Sequence, residues 1–152
     1  MNRDIFWRNV ATQGAVGYGY APGTTATVMM LPLIYFLGTL HLSYASYALF
    51  ALCMIAFGWF VADRALPFFV ESDPSMIVID EAVAFIALFC FLPIHTYTIL
   101  AGFVLFRLFD IFKPLGIAYF EHLPGVAGVM ADDLAAACAA NLCIQIAYYI
   151  LG

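Results

Sequence analysis

The sequence predicts an all-α fold: a polytopic membrane helical bundle of about four to five transmembrane or re-entrant helices, in one integral-membrane domain over residues 1–152. Three observations lead there. Of the 152 residues 66% are hydrophobic and only 10% are charged, against roughly 25% charge in a soluble domain. Mean hydropathy is +1.00. The apolar residues also fall into long uncharged runs separated by short charged stretches, the arrangement of helices that cross or dip into hydrocarbon. No soluble catalytic domain fits beside such spans, so any chemistry falls to residues at their ends.

Taken in order, Thr24 to Ala62 carries no charge and is long enough for two helices broken near His41, Leu42 and Ser43. Ala82 to Phe106 is a second uncharged run with Pro93 near its middle. It reads either as one kinked helix or as a hairpin turning at 93–95. The hairpin is favoured, because it lets Arg3, Arg8, Arg64, Arg107 and Lys113 all lie on one side, which the positive-inside rule makes cytoplasmic. Its halves, 82–92 and 97–109, are too short to span fully and are expected to be tilted or re-entrant, shielded by other helices. Leu134 to Leu151 is the last run, about 27 Å of helix. A cleaved signal peptide is not expected, since no apolar segment follows Arg3 and Arg8 before the Gly-rich stretch. Cys53, Cys90, Cys138 and Cys143 lie in apolar runs without zinc spacing and read as reduced, buried small residues. Trp7, Trp59 and the tyrosines at 44, 47, 97, 148 and 149 suit membrane interfaces. The Ala135–Ala140 stretch permits close helix approach.

A formal charge of −5 argues against nucleic acid as a partner and against a polybasic grip on anionic lipid. The few charges instead cluster at the ends of apolar segments. Asp80-Glu81, Asp110 and Asp132-Asp133 would meet on one face in the hairpin topology and repel one another unless a cation neutralises them. Oxygen donors of this kind suit a hard ion such as Mg2+. Arg107 and Lys113, each three residues from Asp110 on one helix face, suit an anionic substrate. The alternatives are structural: Arg107 and Asp110 can pair merely to tolerate the membrane edge, and one acid of each pair can cap a helix. A cap needs only one carboxylate, which leaves the second acid of each pair unexplained. Gly, Pro and Thr in Gly14–Thr27, Gly23 and Thr24 among them, precede the first apolar helix, where backbone N–H groups can hold a phosphate or simply punctuate the chain. Of the histidines only His122 lies near the acids in this topology.

Ile77-Val-Ile-Asp-Glu81, Gly102-Phe-Val-Leu-Phe-Arg-Leu-Phe-Asp-Ile-Phe-Lys-Pro114, Gly128-Val-Met-Ala-Asp-Asp133 and Ala21-Pro-Gly-Thr24 together resemble the phosphatidylglycerophosphatase A family of bacterial membrane enzymes, over most of the chain. The resemblance implies Mg2+-dependent hydrolysis of the phosphomonoester of phosphatidylglycerophosphate, a phospholipid substrate held in the bilayer. It also implies a multi-pass protein of the bacterial inner membrane with its active site on the cytoplasmic side; a homo-oligomer is left open. Three departures stand out: Thr-Ala-Thr follows the PGT element where Gly-Ser is usual, Ala84 replaces a Gly, and Leu123-Pro-Gly-Val-Ala-Gly replaces His-Gly-Gly-x-Gly. On this reading Asp80, Glu81, Asp132, Asp133 and Asp110 are the metal ligands, with Asp80 or Asp133 as the catalytic base. Arg107, Lys113, Gly23 and Thr24 bind substrate. The rivals are a small transporter or ion-conducting protein using boundary carboxylates, and a structural subunit whose charges only anchor helix ends.

Overall fold

A computed structural model describes the backbone of residues 3–69 and 75–151, and side chains of 5–69 and 75–150. Among the described residues the chain is all helix, without a strand. The six α-helices are α1 (Arg3–Ala11), α2 (Pro22–Thr39), α3 (Tyr44–Ala65), α4 (Ile79–Leu88), α5 (Thr96–Phe112) and α6 (Val126–Leu151), with three short 3-10 helices between them. The side chain of Arg3 lies outside the described residues.

The break expected near His41 to Ser43 is present. The Ser43 hydroxyl caps α3 by accepting from the Ser46 N–H at 3.1 Å. The second uncharged run is a hairpin, not a kinked helix. α4 stops at Leu88, the chain turns through 89–95, and α5 returns. Both turns lie at one end of the bundle: the Tyr44 ring sits 6.2 Å from that of Phe91, and a Cβ on Gly38 would meet Ile94. At ten residues α4 is about 15 Å long and cannot cross a bilayer alone.

An apolar medium offers no partner to the carbonyls freed where α4 ends. Two neighbours supply one. The Tyr47 hydroxyl of α3 donates to the Ile86 carbonyl at 2.9 Å, and the Asn141 amide of α6 donates to the carbonyls of Leu88 and Cys90 at 2.6 and 2.8 Å. Tyr47 is therefore a buried tyrosine and not an interfacial one, with 4% of its surface exposed. Around this junction Phe85, Phe89 and Phe106 form the centre of the core, with ring centroids 5.2 Å apart for the first pair and 5.6 Å for Phe85 and Phe106. Ala136, Ala137 and Ala140 are buried, as their small size allows.

Two segments, Tyr44–Phe68 and Val126–Ile150, are long and apolar enough to cross a membrane. Only 28% of the first is buried, with Leu49 and Leu52 outward, which leaves a broad apolar face uncovered. Three expectations need correction. Cys53, Cys138 and Cys143 are exposed, not buried, and Cys90 is half-buried; all four are free thiols on apolar surfaces of the bundle. Pro22, Gly23 and Thr24 form the first turn of α2 instead of preceding it, with Pro22 in the first turn, where its missing N–H costs nothing. And α6 begins at Val126, eight residues before the apolar run, so Asp132 and Asp133 stand inside the helix where they cap nothing.

Candidate active site

Four helix ends meet opposite the two turns. The N-terminus of α4 contributes Asp80 and Glu81, the N-terminal part of α6 contributes Asp132 and Asp133, and the C-terminal turns of α5 contribute Arg107 and Asp110. The start of α2 closes the group. Asp80, Glu81 and Asp133 each offer a carboxylate oxygen within 4.8 Å of the others. Asp80 and Asp133 are only 6% and 4% exposed. The local chain holds one oxygen in place: Asp80 Oδ1 accepts from the Glu81 N–H at 3.0 Å. Glu81 Oε2 is buried and accepts nothing among the described residues.

Three like charges this close repel by on the order of 3 kcal/mol per pair at an effective dielectric near 20. Asp80 and Glu81 precede the apolar run, and burial is the chief cause that pushes both above the usual carboxylate range. For Asp80 the neighbouring Glu81 charge adds to it. Such a cluster stays ionised at neutral pH only with compensating positive charge. An oxygen-only donor set with an unspent buried oxygen fits a hard divalent cation.

Arg107 supplies part of that charge. Its Nη1 lies 2.5 Å from Asp110 Oδ2, an ion pair by distance but not aligned as a hydrogen bond, so Nε and Nη1 remain buried donors without hydrogen-bond partners among the described residues. Gly23 explains how α2 reaches the group. A Cβ there would collide with the Glu81 carboxylate and lie 3.2 Å from Arg107 Nη1, so only glycine lets this backbone touch both. The buried Thr27 hydroxyl anchors the turn by donating to the Gly23 carbonyl at 2.8 Å. The Gly23 and Thr24 N–H groups, in the first turn, have no intrahelical acceptor.

Lys113 caps α5 in the left-handed region, at φ 43°, and its ammonium bridges Asp132 Oδ2 at 2.5 Å and Glu121. Burial works to lower its pKa, but the bonds to the two carboxylates outweigh that and raise it. Asp132 is thus held by Lys113 and Asp110 by Arg107, while Asp132 Oδ1 is buried without a hydrogen-bond partner among the described residues. The structure brings Asp80, Glu81, Arg107, Asp110, Lys113, Asp132 and Asp133 to one end, and gathers three of the five acids within reach of a common ion. His122 is exposed beside Tyr119 and outside that trio. Sequence reasoning assigned no partner role to Glu121 and did not find the hydrogen bonds of Thr27, Tyr47 and Asn141. Glu121 alone left a signal, a rare charge eight residues after Lys113.

Clustered carboxylates and a guanidinium whose Nε has no partner among the described residues, at the end of an apolar helical bundle, suit a phosphate ester and its counter-ion, which puts this chain among helical, membrane-type phosphatases. The family model for phosphatidylglycerophosphatase A matches residues 9–148, and the chain belongs to that family. Curated relatives include a phosphatidylglycerophosphatase A of Haemophilus influenzae, 36% identical over 149 residues, covering 90% of this chain and 88% of the relative. Another of that name, from Escherichia coli, is 30% identical over 129 residues, with 80% and 74% covered. A putative phosphatidylinositol-3-phosphatase of Bacteroides thetaiotaomicron is 33% identical over 140 residues, with 88% and 87% covered. No solved structure matches.

Proposed function

We propose that this phosphatase hydrolyses the phosphomonoester of phosphatidylglycerophosphate to give phosphatidylglycerol, that it depends on Mg2+, and that it works at the cytoplasmic face of a bacterial inner membrane that its helices cross several times. The observation that carries the proposal is the Asp80, Glu81 and Asp133 trio beside Arg107. The names of the relatives support it: all three describe removal of phosphate from a glycerophospholipid headgroup. The Bacteroides relative favours an inositol headgroup as the second candidate substrate.

Asp80, Glu81 and Asp133 would hold Mg2+, with Asp132 and Asp110 beside them. Bound there, the ion would offset the clustered negative charge and supply Lewis-acid polarisation of the phosphoryl group. Arg107, paired with Asp110 through Nη1, would offer its unspent Nε donor to a phosphate oxygen and stabilise charge that builds in the transition state. The free N–H groups of Gly23 and Thr24 add a helix N-terminus to the same anion site. Lys113 contributes positive charge while holding Asp132 and Glu121. Asp80 or Asp133 takes the proton of the attacking water. The substrate's acyl chains stay in the hydrocarbon and its headgroup reaches the acids from the boundary.

The test is phosphate release in detergent from phosphatidylglycerophosphate and from phosphatidylinositol 3-phosphate, with Mg2+ or EDTA. Release from the first, abolished by EDTA and reduced at least about 100-fold in Asp80→Asn and Asp133→Asn with membrane insertion intact, is expected. Near-normal turnover in EDTA or in both variants overturns the mechanism. No release from either lipid returns the question to a transporter.

A further inference from the structure

Because α4 ends halfway along its neighbours, it leaves a hollow between α3, α4 and α6. This cleft, of about 440 Å³, is lined by Ile55, Ala87, Leu134, Ala137, Cys138 and Leu142 among others. Along α6 its residues recur at helical spacing from Leu134 to Leu142, a stripe about 12 Å long. Its upper end is Leu134, the residue directly after Asp133. A group that fills the hollow therefore starts at about the depth of Asp133 along α6 and runs away from it, towards the two turns.

The lining fixes the chemistry of the occupant. The one amide in the wall, Asn141, spends its nitrogen on the Leu88 and Cys90 carbonyls, and its oxygen accepts from Gln145 Nε2 at 2.7 Å. Nothing polar in the side chains that define the hollow's length is left to hold water, so it takes hydrocarbon. Three other clefts are placed differently. The apolar one between α5 and α6 is lined by Leu105 and Cys143 down to Tyr97 and Tyr148, at the far half of the bundle. Two more, lined by His41 and His95, lie at the turns, opposite the acids.

We propose that the α3–α4–α6 cleft is a binding groove for one acyl chain of the lipid whose phosphate sits at the carboxylate trio. This rests on the lipid-phosphatase reading and adds a subsite to it. The groove draws the scissile phosphate to a fixed depth relative to Asp133, so chain length, and not headgroup alone, becomes a determinant of turnover.

The experiment compares kcat/KM for dioleoyl and for dihexanoyl phosphatidylglycerophosphate in detergent, in the natural protein and in two variants that fill the groove from exposed positions, Cys138→Phe and Leu142→Trp. Leu49→Trp, exposed on α3 and outside the groove, is the control. The natural protein is expected to prefer the long-chain lipid. Both groove variants should lower the long-to-short ratio by about tenfold, the loss of roughly two buried methylenes, while the control's ratio stays unchanged. An unchanged ratio in both groove variants overturns the groove, whether the two rates hold or fall together, and so does an equal shift in the control. Phosphate release from neither lipid by the natural protein instead overturns the underlying lipid-phosphatase reading.

Discussion

At Gly23 one added methyl group would enter the space of the Glu81 carboxylate. Gly23→Ala is expected to push Glu81 off the trio and to lower phosphate release by on the order of 100-fold, the usual cost of a displacement near 1 Å at a reacting centre. Circular dichroism should show unchanged helix content. Lys113 gives a second expectation. Its removal leaves Asp132, 8% exposed at the side chain, facing no cation. Lys113→Met should destabilise the detergent-solubilised protein by roughly 2–3 kcal/mol, a fully buried pair's cost discounted because Lys113 keeps 20% of its side chain exposed. Thermal unfolding of Lys113→Met, Asp132→Leu and the double variant checks it; the double variant should recover most of the loss. The identities of these residues were legible in the sequence because charges are so few that each has to be explained. Their division of labour was not. Whether Asp110 faces a metal or Arg107 depends on side-chain direction at the end of α5, which spacing leaves open, and Gly23 reads as a punctuation mark until Glu81 is seen against it.

Among the elements, α4 is the one that matters most to the site, and its length was the hardest to read. Pro93 signalled an interruption, yet the helix ends five residues earlier, at Leu88, since the turn also needs Phe91 in the left-handed region at φ 62°. What makes a ten-residue helix viable beside lipid is capping from other helices. Asn141→Leu removes both donors to the Leu88 and Cys90 carbonyls and is expected to cost about 2–3 kcal/mol. Tyr47→Phe, with one donor fewer, should cost about 1 kcal/mol. Hydrogen exchange of residues 79–95 separates these from general unfolding: protection should fall there first. No local pattern announces such caps, since Asn141 lies more than fifty residues from its acceptors. α6 shows the opposite limit. Its hydropathy run starts at Leu134 because Asp132 and Asp133 interrupt it, whereas the backbone continues helical through both, held by the 3-10 segment at 117–122 and by Lys113.

For the molecule as a whole, the all-α class and the shared end of the charges followed from hydropathy and the positive-inside rule together. Single cysteines in an otherwise cysteine-free protein test how it sits in its native membrane. Those at His41 and His95 should react with an impermeant thiol reagent from one side, and one at His122 from the cytoplasmic side; labelling of all three from one side would contradict the crossing pattern proposed above. The same arrangement bears on biogenesis. The trio is split between α4 and α6, with Asp132 and Asp133 at the seventh and eighth residues of the latter. A chain folded only as far as α5 holds Asp80, Glu81 and Asp110 but lacks Asp133, the third carboxylate of the trio. α6 then brings two more carboxylates to the group, near its own N-terminal end. Lys113, which precedes it in the chain, is the counter-charge that Asp132 meets there, so the carboxylate trio is completed only by the last helix.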